Sequence, residues 1–127
     1  MPTHDTEFFN PPAPLARVTL RHPDNGDVLS NVPMLIDTGA DVSLVPEASI
    51  RKLGIRFDPT SSYSLMGFDG EISEAMSVRT ELLFLGKVYK GRFLVLEQEW
   101  GVMGRNILNT LPLLLNGPKL TWTEHKP

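Results

Sequence analysis

The apolar residues of this chain come in short runs, and almost every run is closed by a turn signal. Leu15-Ala16-Arg17-Val18-Thr19-Leu20-Arg21 alternates apolar and polar, the period of a half-buried strand. Asp24-Asn25-Gly26-Asp27 follows, and Asn-Gly supplies the positive φ angles of a type I′ hairpin turn. Val28 to Ile36 reads as the returning strand. Further on, Ser61 to Met66 and Glu71 to Leu85 read as two arms of a hairpin. Gly67-Phe68-Asp69-Gly70 forms its tip and Leu82-Leu83-Phe84-Leu85 its apolar base. On its own this stretch reads first as a plain surface hairpin, and second as one that closes over a ligand. Gly86-Lys87 is the next turn, Val88 to Leu96 the next strand, and Asn116-Gly117 turns the chain into a last strand over Lys119 to Thr123. Two short helices interrupt the pattern. One starts at Pro46, buries Ile50 and Leu53 and ends at Gly54; the other follows Ile107, Leu108 and Leu111 to Pro112. Ile55 and Phe57 begin an extended piece that Asp58-Pro59 should stop. At least seven short strands against two short helices predict an all-β domain, a closed barrel or a folded sheet. The chain lacks βαβ alternation, which argues against doubly wound and TIM-barrel folds.

Composition narrows the function. The 127 residues are one domain's worth, with 41% hydrophobic and 21% charged side chains, ordinary globular values. Twelve basic residues against fifteen acidic ones give a net charge of -3. The basic residues are scattered, so no nucleic-acid partner is expected. The chain has no cysteine, which excludes disulfides, thiolate metal sites and thiol nucleophiles and leans toward the cytoplasm. No apolar run approaches the roughly 18–20 residues of a membrane span. The start, Met1-Pro2-Thr3-His4-Asp5-Thr6-Glu7, lacks a signal-peptide pattern. Residues 1–14 read as a proline-containing arm that could dock through Phe8 and Phe9. Residues 15–123 form the domain and 124–127 a tail.

The chemistry converges on Met34-Leu35-Ile36-Asp37-Thr38-Gly39-Ala40-Asp41-Val42-Ser43-Leu44. Here a buried strand delivers a carboxylate into a tight glycine-containing loop, where it is poorly solvated. Other chemistries lack their parts. His4, His22 and His125 lie in no motif, and Gly-x-Ser-x-Gly is absent. Gly101-Val102-Met103-Gly104 has neither the Lys-Ser/Thr of a phosphate loop nor a third glycine. One carboxylate cannot easily serve as both acid and base. Two held side by side share one proton, and each then takes one role. The chain contains a single Asp-Thr-Gly and no second Asp-Ser/Thr-Gly, so the second Asp37 would come from a second copy across a two-fold axis. Thr38 offers a hydroxyl to brace the two loops, and Gly39 permits close approach.

On these residues the chain resembles the retroviral-type aspartic proteases, the retropepsins, and is closest in style to their cellular and bacterial single-domain members. Leu35-Ile36-Asp37-Thr38-Gly39-Ala40-Asp41 is similar to the family's catalytic motif. Gly67-Phe68-Asp69-Gly70 falls where the family has its flap. Val102-Met103-Gly104-Arg105-Asn106-Ile107-Leu108 is similar to the segment before its last helix. The family is the standard worked case of the proton-sharing carboxylate pair. The resemblance implies a retropepsin-like two-fold homodimer that hydrolyses peptide bonds in extended, largely apolar segments. It assigns catalysis to Asp37, Thr38 and Gly39, and substrate contact to Ala40, Asp41, Gly67, Phe68, Asp69 and Gly70. Arg105 and Asn106 would support the dimer, with Arg105 paired to Asp41. The partners are a second copy and a peptide or protein substrate, and no cofactor or metal is called for. Phe68 and Asp69 depart from a glycine-rich flap tip, and the arm has no obvious counterpart. A non-catalytic dimeric peptide-binding or assembly module of the same fold remains the alternative. A phosphate site on the Asp-Thr-Gly-Ala turn would require a two-lobed fold for which the chain is too short.

Overall fold

The alternating stretch at the start of the domain becomes a strand with one face inside, Ala16, Val18 and Leu20 being almost wholly buried. The computed structural model describes residues 2–66 and 72–126. In chain order the elements are β1 (His4–Asp5), β2 (Ala13–Arg21), β3 (Val28–Ile36), β4 (Leu44–Pro46), α1 (Glu47–Leu53) and β5 (Asp58–Met66). They continue as β6 (Ile72–Phe84), β7 (Lys87–Leu96), β8 (Gly101–Met103), α2 (Arg105–Leu108), β9 (Leu113–Asn116) and β10 (Thr121–Glu124). The larger sheet runs β1-β2-β3-β8-β4-β7-β6-β5, and β2 also pairs with β6. That second pairing closes β2, β3, β8, β4, β7 and β6 into a six-stranded barrel, the all-β fold expected. Closure leaves the barrel without a free edge. β9 and β10 form a separate antiparallel hairpin.

The barrel is filled by side chains that water cannot reach. Leu20, Met34, Ile50, Leu82, Met103 and Ile107 are the largest. Burying each stabilises the fold by about 1.5–3 kcal/mol. Trp122, 3% exposed, pins the β9–β10 hairpin to this core, its indole N–H donating to the Leu15 carbonyl at 3.0 Å. The proline-containing arm is docked. β1 pairs with β2, the His4 N–H donates to the Leu120 carbonyl at 2.8 Å, and Phe9 packs edge-on against Trp100.

Local details differ from the sequence expectations for identifiable reasons. The β2–β3 connection is not a two-residue type I′ turn. Gly26 has φ 78°, but Asn25 does not have a positive φ. The loop closes through Gly26 N–H to His22 O at 3.1 Å and His22 N–H to Asp27 O at 2.8 Å. Pro23, with its φ fixed near −65°, starts the loop early and lengthens it. Asn31, at φ 60°, supplies the extra residue of a bulge opposite Thr19, between the Val18–Val32 and Leu20–Leu29 pairs. β5 runs through Asp58-Pro59 instead of stopping there. It is the last strand of the sheet, and its register shifts after Asp58, so the missing proline N–H breaks no ladder. Pro46 ends β4 and precedes α1 rather than opening it, and Gly54 closes α1 at φ 69° as expected. α2 stops at Leu108, short of the pattern that reached Leu111.

Candidate active site

Asp37 is the first residue beyond β3, and the ladder holds it in place. Ile36 pairs with Met103 of the parallel strand β8, and the Asp37 N–H continues that pairing to the Met103 carbonyl at 3.1 Å. Both Ile36 and Met103 are buried, so the backbone that delivers the carboxylate is fixed by the core. The loop then turns on itself. The Ala40 N–H donates to the Asp37 carbonyl at 3.2 Å, and the Gly39 N–H donates to Asp37 Oδ1 at 2.9 Å. The second bond is an Asx turn, which sets the carboxylate's rotation and leaves Oδ2 for other partners. A Cβ at Gly39 would lie 3.1 Å from that same oxygen, so the tight approach favours glycine.

The segment after β8 buttresses the loop from behind. The Arg105 N–H donates to the Ala40 carbonyl at 2.8 Å, and Arg105 Nη1 donates to the Thr38 carbonyl at 2.8 Å. The expected Arg105–Asp41 ion pair is not among the ion pairs of the described residues. The guanidinium caps the loop backbone instead, and Asp41 is exposed. At Gly104 a Cβ would sit 2.3 Å from the Val42 carbonyl oxygen and 2.9 Å from that of Ala40, a collision with backbone that cannot move aside. Asn106 reaches the same place through Ser43, whose hydroxyl donates to Asn106 Oδ1 at 2.7 Å and accepts from the Gly104 N–H at 2.9 Å. The sequence motif contains Ser43 but does not by itself assign it a task. A hydroxyl in the otherwise apolar run Val42-Ser43-Leu44-Val45, and 2% exposed, was the available signal.

Asp37 is half-buried, and Thr38 and Gly39 are exposed, so the carboxylate is better solvated in one chain than the sequence alone implied. No second carboxylate is hydrogen-bonded to it among the described residues. Beside the loop lies an apolar cavity of about 180 Å³, lined by Ile36, Thr38, Leu108, Leu111, Leu113 and Leu115 with Asn109. Leu114 and Leu115 on β9 are about half exposed, and Leu120 stands out from the same hairpin. Gly67, Phe68, Asp69 and Gly70 lie outside the described residues, while the arms β5 and β6 pair up to Met66 and Ile72. Among the described residues no three of His, Asp and Glu group closely enough to hold a metal ion. None of their helices is long and apolar enough to cross a membrane.

Comparison with known proteins gives the same outline. A family model described as aspartyl protease matches residues 18–109. EIAV protease, solved with the inhibitor HBY-793, superposes with a TM-score of 0.57 at 26% identity, over 77% of this chain and 86% of that one. A retropepsin-like aspartic protease from Rickettsia conorii superposes with a TM-score of 0.60 over 98% of this chain and 88% of that one. At 15% identity the second likeness speaks for the fold alone. No curated protein sequence matches.

Proposed function

This chain belongs to the aspartyl protease family, and on that premise we propose that it is a homodimeric aspartic endopeptidase whose site is completed by a second copy. The observation that carries this reading is the lone, rigidly held carboxylate beside an uncovered apolar cavity. Asp37 is fixed by the Met103 and Gly39 contacts, yet its loop lies open next to exposed leucines. A two-fold axis there would cover the leucines and bring two Asp37 carboxylates together.

In that arrangement the pair shares one proton. The ionised Asp37 takes a proton from water, and the water oxygen attacks the peptide carbonyl carbon. The protonated Asp37 gives its proton to the carbonyl oxygen. The tetrahedral diol then collapses: the Asp37 now protonated gives its proton to the amide nitrogen, the Asp37 now ionised takes one from a diol hydroxyl, and the C–N bond breaks to release the amine. Thr38 braces the two loops through its hydroxyl while Arg105 holds its carbonyl. Gly39, Ala40 and Asp41 would line the extended substrate, and Gly67, Phe68, Asp69 and Gly70, by the resemblance, would serve its binding. Asn106 supports the dimer face indirectly by holding Ser43. No cofactor enters these steps.

Replacing the carboxylate tests the reading with little disturbance of shape. Asp37→Asn should lower cleavage of a peptide library by at least about 100-fold, the scale of acid–base catalysis, with an unchanged melting temperature. Undiminished cleavage in that variant would refute the assignment. The departure at Phe68 and Asp69 from a glycine-rich tip favours, as a second reading, a non-catalytic dimer that only binds peptide. That reading requires no turnover between acidic and neutral pH, and a peptide carrying a non-cleavable hydroxyl isostere bound no more tightly than the plain peptide.

A further inference from the structure

We infer that the N-terminal arm is an internal competitor of the substrate: Phe9 rests on Trp100, on the apolar outer face beside the Asp37 loop, where a side chain of a bound peptide would otherwise lie. This inference rests on the reading of Asp37 as the catalytic carboxylate and adds regulation to that same site.

Strand register brings the arm to the Asp37 end of the barrel. Leu35 of β3 stands opposite Leu15 of β2, so two residues further along Asp37 is level with Ala13. Ala13 in turn pairs with Asp5 of β1. The connection from Thr6 to Pro12 therefore leaves the sheet at the end where β3 presents the carboxylate. Asp5 Oδ2 accepts the Phe8 N–H at 2.6 Å and turns the chain at the start of this connection. Phe9 then carries it across to β8. Its ring stands 4.8 Å from that of Trp100 at 62°, an edge-to-face contact between two half-buried side chains.

Trp100 leads directly into β8, the strand that holds Asp37. Three residues on, the Met103 carbonyl accepts the Asp37 N–H. Three extended residues span about 10 Å, so Trp100 lies within reach of a peptide's next few residues beyond a bond cleaved at Asp37. The surface between is apolar. Gly101 and Met103 are buried, whereas Val102 between them joins a cluster apart from the barrel core, with Val42, Leu44, Leu94 and Leu96. Val102 pairs with Leu35 on one side and Leu44 on the other, so this cluster starts where the Asp37 loop ends. Alternation along β8 puts Trp100 on Val102's side.

The attachment of the arm is suited to release. Of residues 6–11 only Phe9 is not exposed, so the connection is held at its middle by one ring. Its ends stay fixed by the β1–β2 pairing and by the His4 N–H bond to the Leu120 carbonyl. A segment with so few buried contacts opens at small cost. Tethered at both ends, the ring meets Trp100 at high effective concentration, and a free peptide has to displace it.

The test is titration calorimetry with a synthetic peptide of the arm's own residues 5–14, on the Asp37→Asn chain so that nothing is cleaved. The peptide should bind the Phe9→Ala form of that chain about threefold to tenfold more tightly than the form that keeps Phe9, the range of one aromatic pair. Trp100→Ala should remove that difference. Phe9→Leu keeps most of the apolar volume and with it the fold, and should act in the same direction. On the chain that keeps Asp37, Phe9→Ala should lower KM for a cleaved peptide by the same factor and leave kcat unchanged. Loss of a ring that merely packs would lower the melting temperature and leave KM where it was. Equal, weaker or no peptide binding in both Phe9 variants would overturn the competitor. Absence of cleavage in every form would overturn the catalytic reading alone, because the calorimetric comparison needs no turnover.

Discussion

Ser43 shows how much of the site depends on one atom. Its hydroxyl ties the strand after the Asp37 loop to the Gly104 N–H and to Asn106, residues about sixty positions away. Gly104 in turn lies against the carbonyls of Ala40 and Val42, so the two segments behave as one piece. Ser43→Ala leaves the Gly104 N–H buried and unpaired. An unpaired buried donor costs about 1–3 kcal/mol, and urea denaturation should show a loss of that size. Activity should fall beyond what unfolding accounts for, because the Arg105 contacts to Ala40 and Thr38 would lose their register. A variant as stable and active as the parent would remove Ser43 from the supporting structure.

At the level of elements, turn chemistry and turn position can disagree. Asn25-Gly26 has the composition of a type I′ turn, yet Pro23 draws it into a longer loop. The type I′ geometry occurs instead between β6 and β7, where Phe84 pairs with Lys87 and the central residues Leu85 and Gly86 have φ 50° and 78°. The sequence pointed to Gly86-Lys87, one residue late, because leucine is a poor candidate for a left-handed position. Leu85→Asn should therefore stabilise the protein by about 1 kcal/mol, seen as a melting temperature a few degrees higher. No change or a decrease would mean that the 36% exposed leucine side chain contributes packing that offsets its backbone strain. The same contrast sets what could be read in advance. The Asp37 loop and β3 were legible because a local apolar run and a glycine turn encode them. The Ser43–Gly104 bond and the docking of the arm on β2 and β10 join residues distant in sequence, and no local pattern marks them.

For the whole molecule, the decisive quantity is what one chain leaves uncovered. Its barrel is closed and its core is filled, but the face carrying Asp37 keeps an apolar cavity, and β9 exposes Leu114 and Leu115 at 52% and 50%. If a second copy covers this face, folding and association are linked, and the melting temperature rises with protein concentration. Leu115→Lys separates the two processes. The residue is half exposed in the single chain, so lysine can reach solvent without a large cost to the barrel. Across a two-fold axis the same change would place like charges and a polar group in an apolar contact. The variant should sediment as a monomer, melt independently of concentration and lose cleavage, while its circular dichroism matches the parent's. Peptide cleavage that is first order in chain concentration for the parent, and equal per chain in Leu115→Lys, would show that one copy of Asp37 suffices. Cleavage that rises with the square of concentration at high dilution, and vanishes in the variant, would place the second carboxylate in the partner copy.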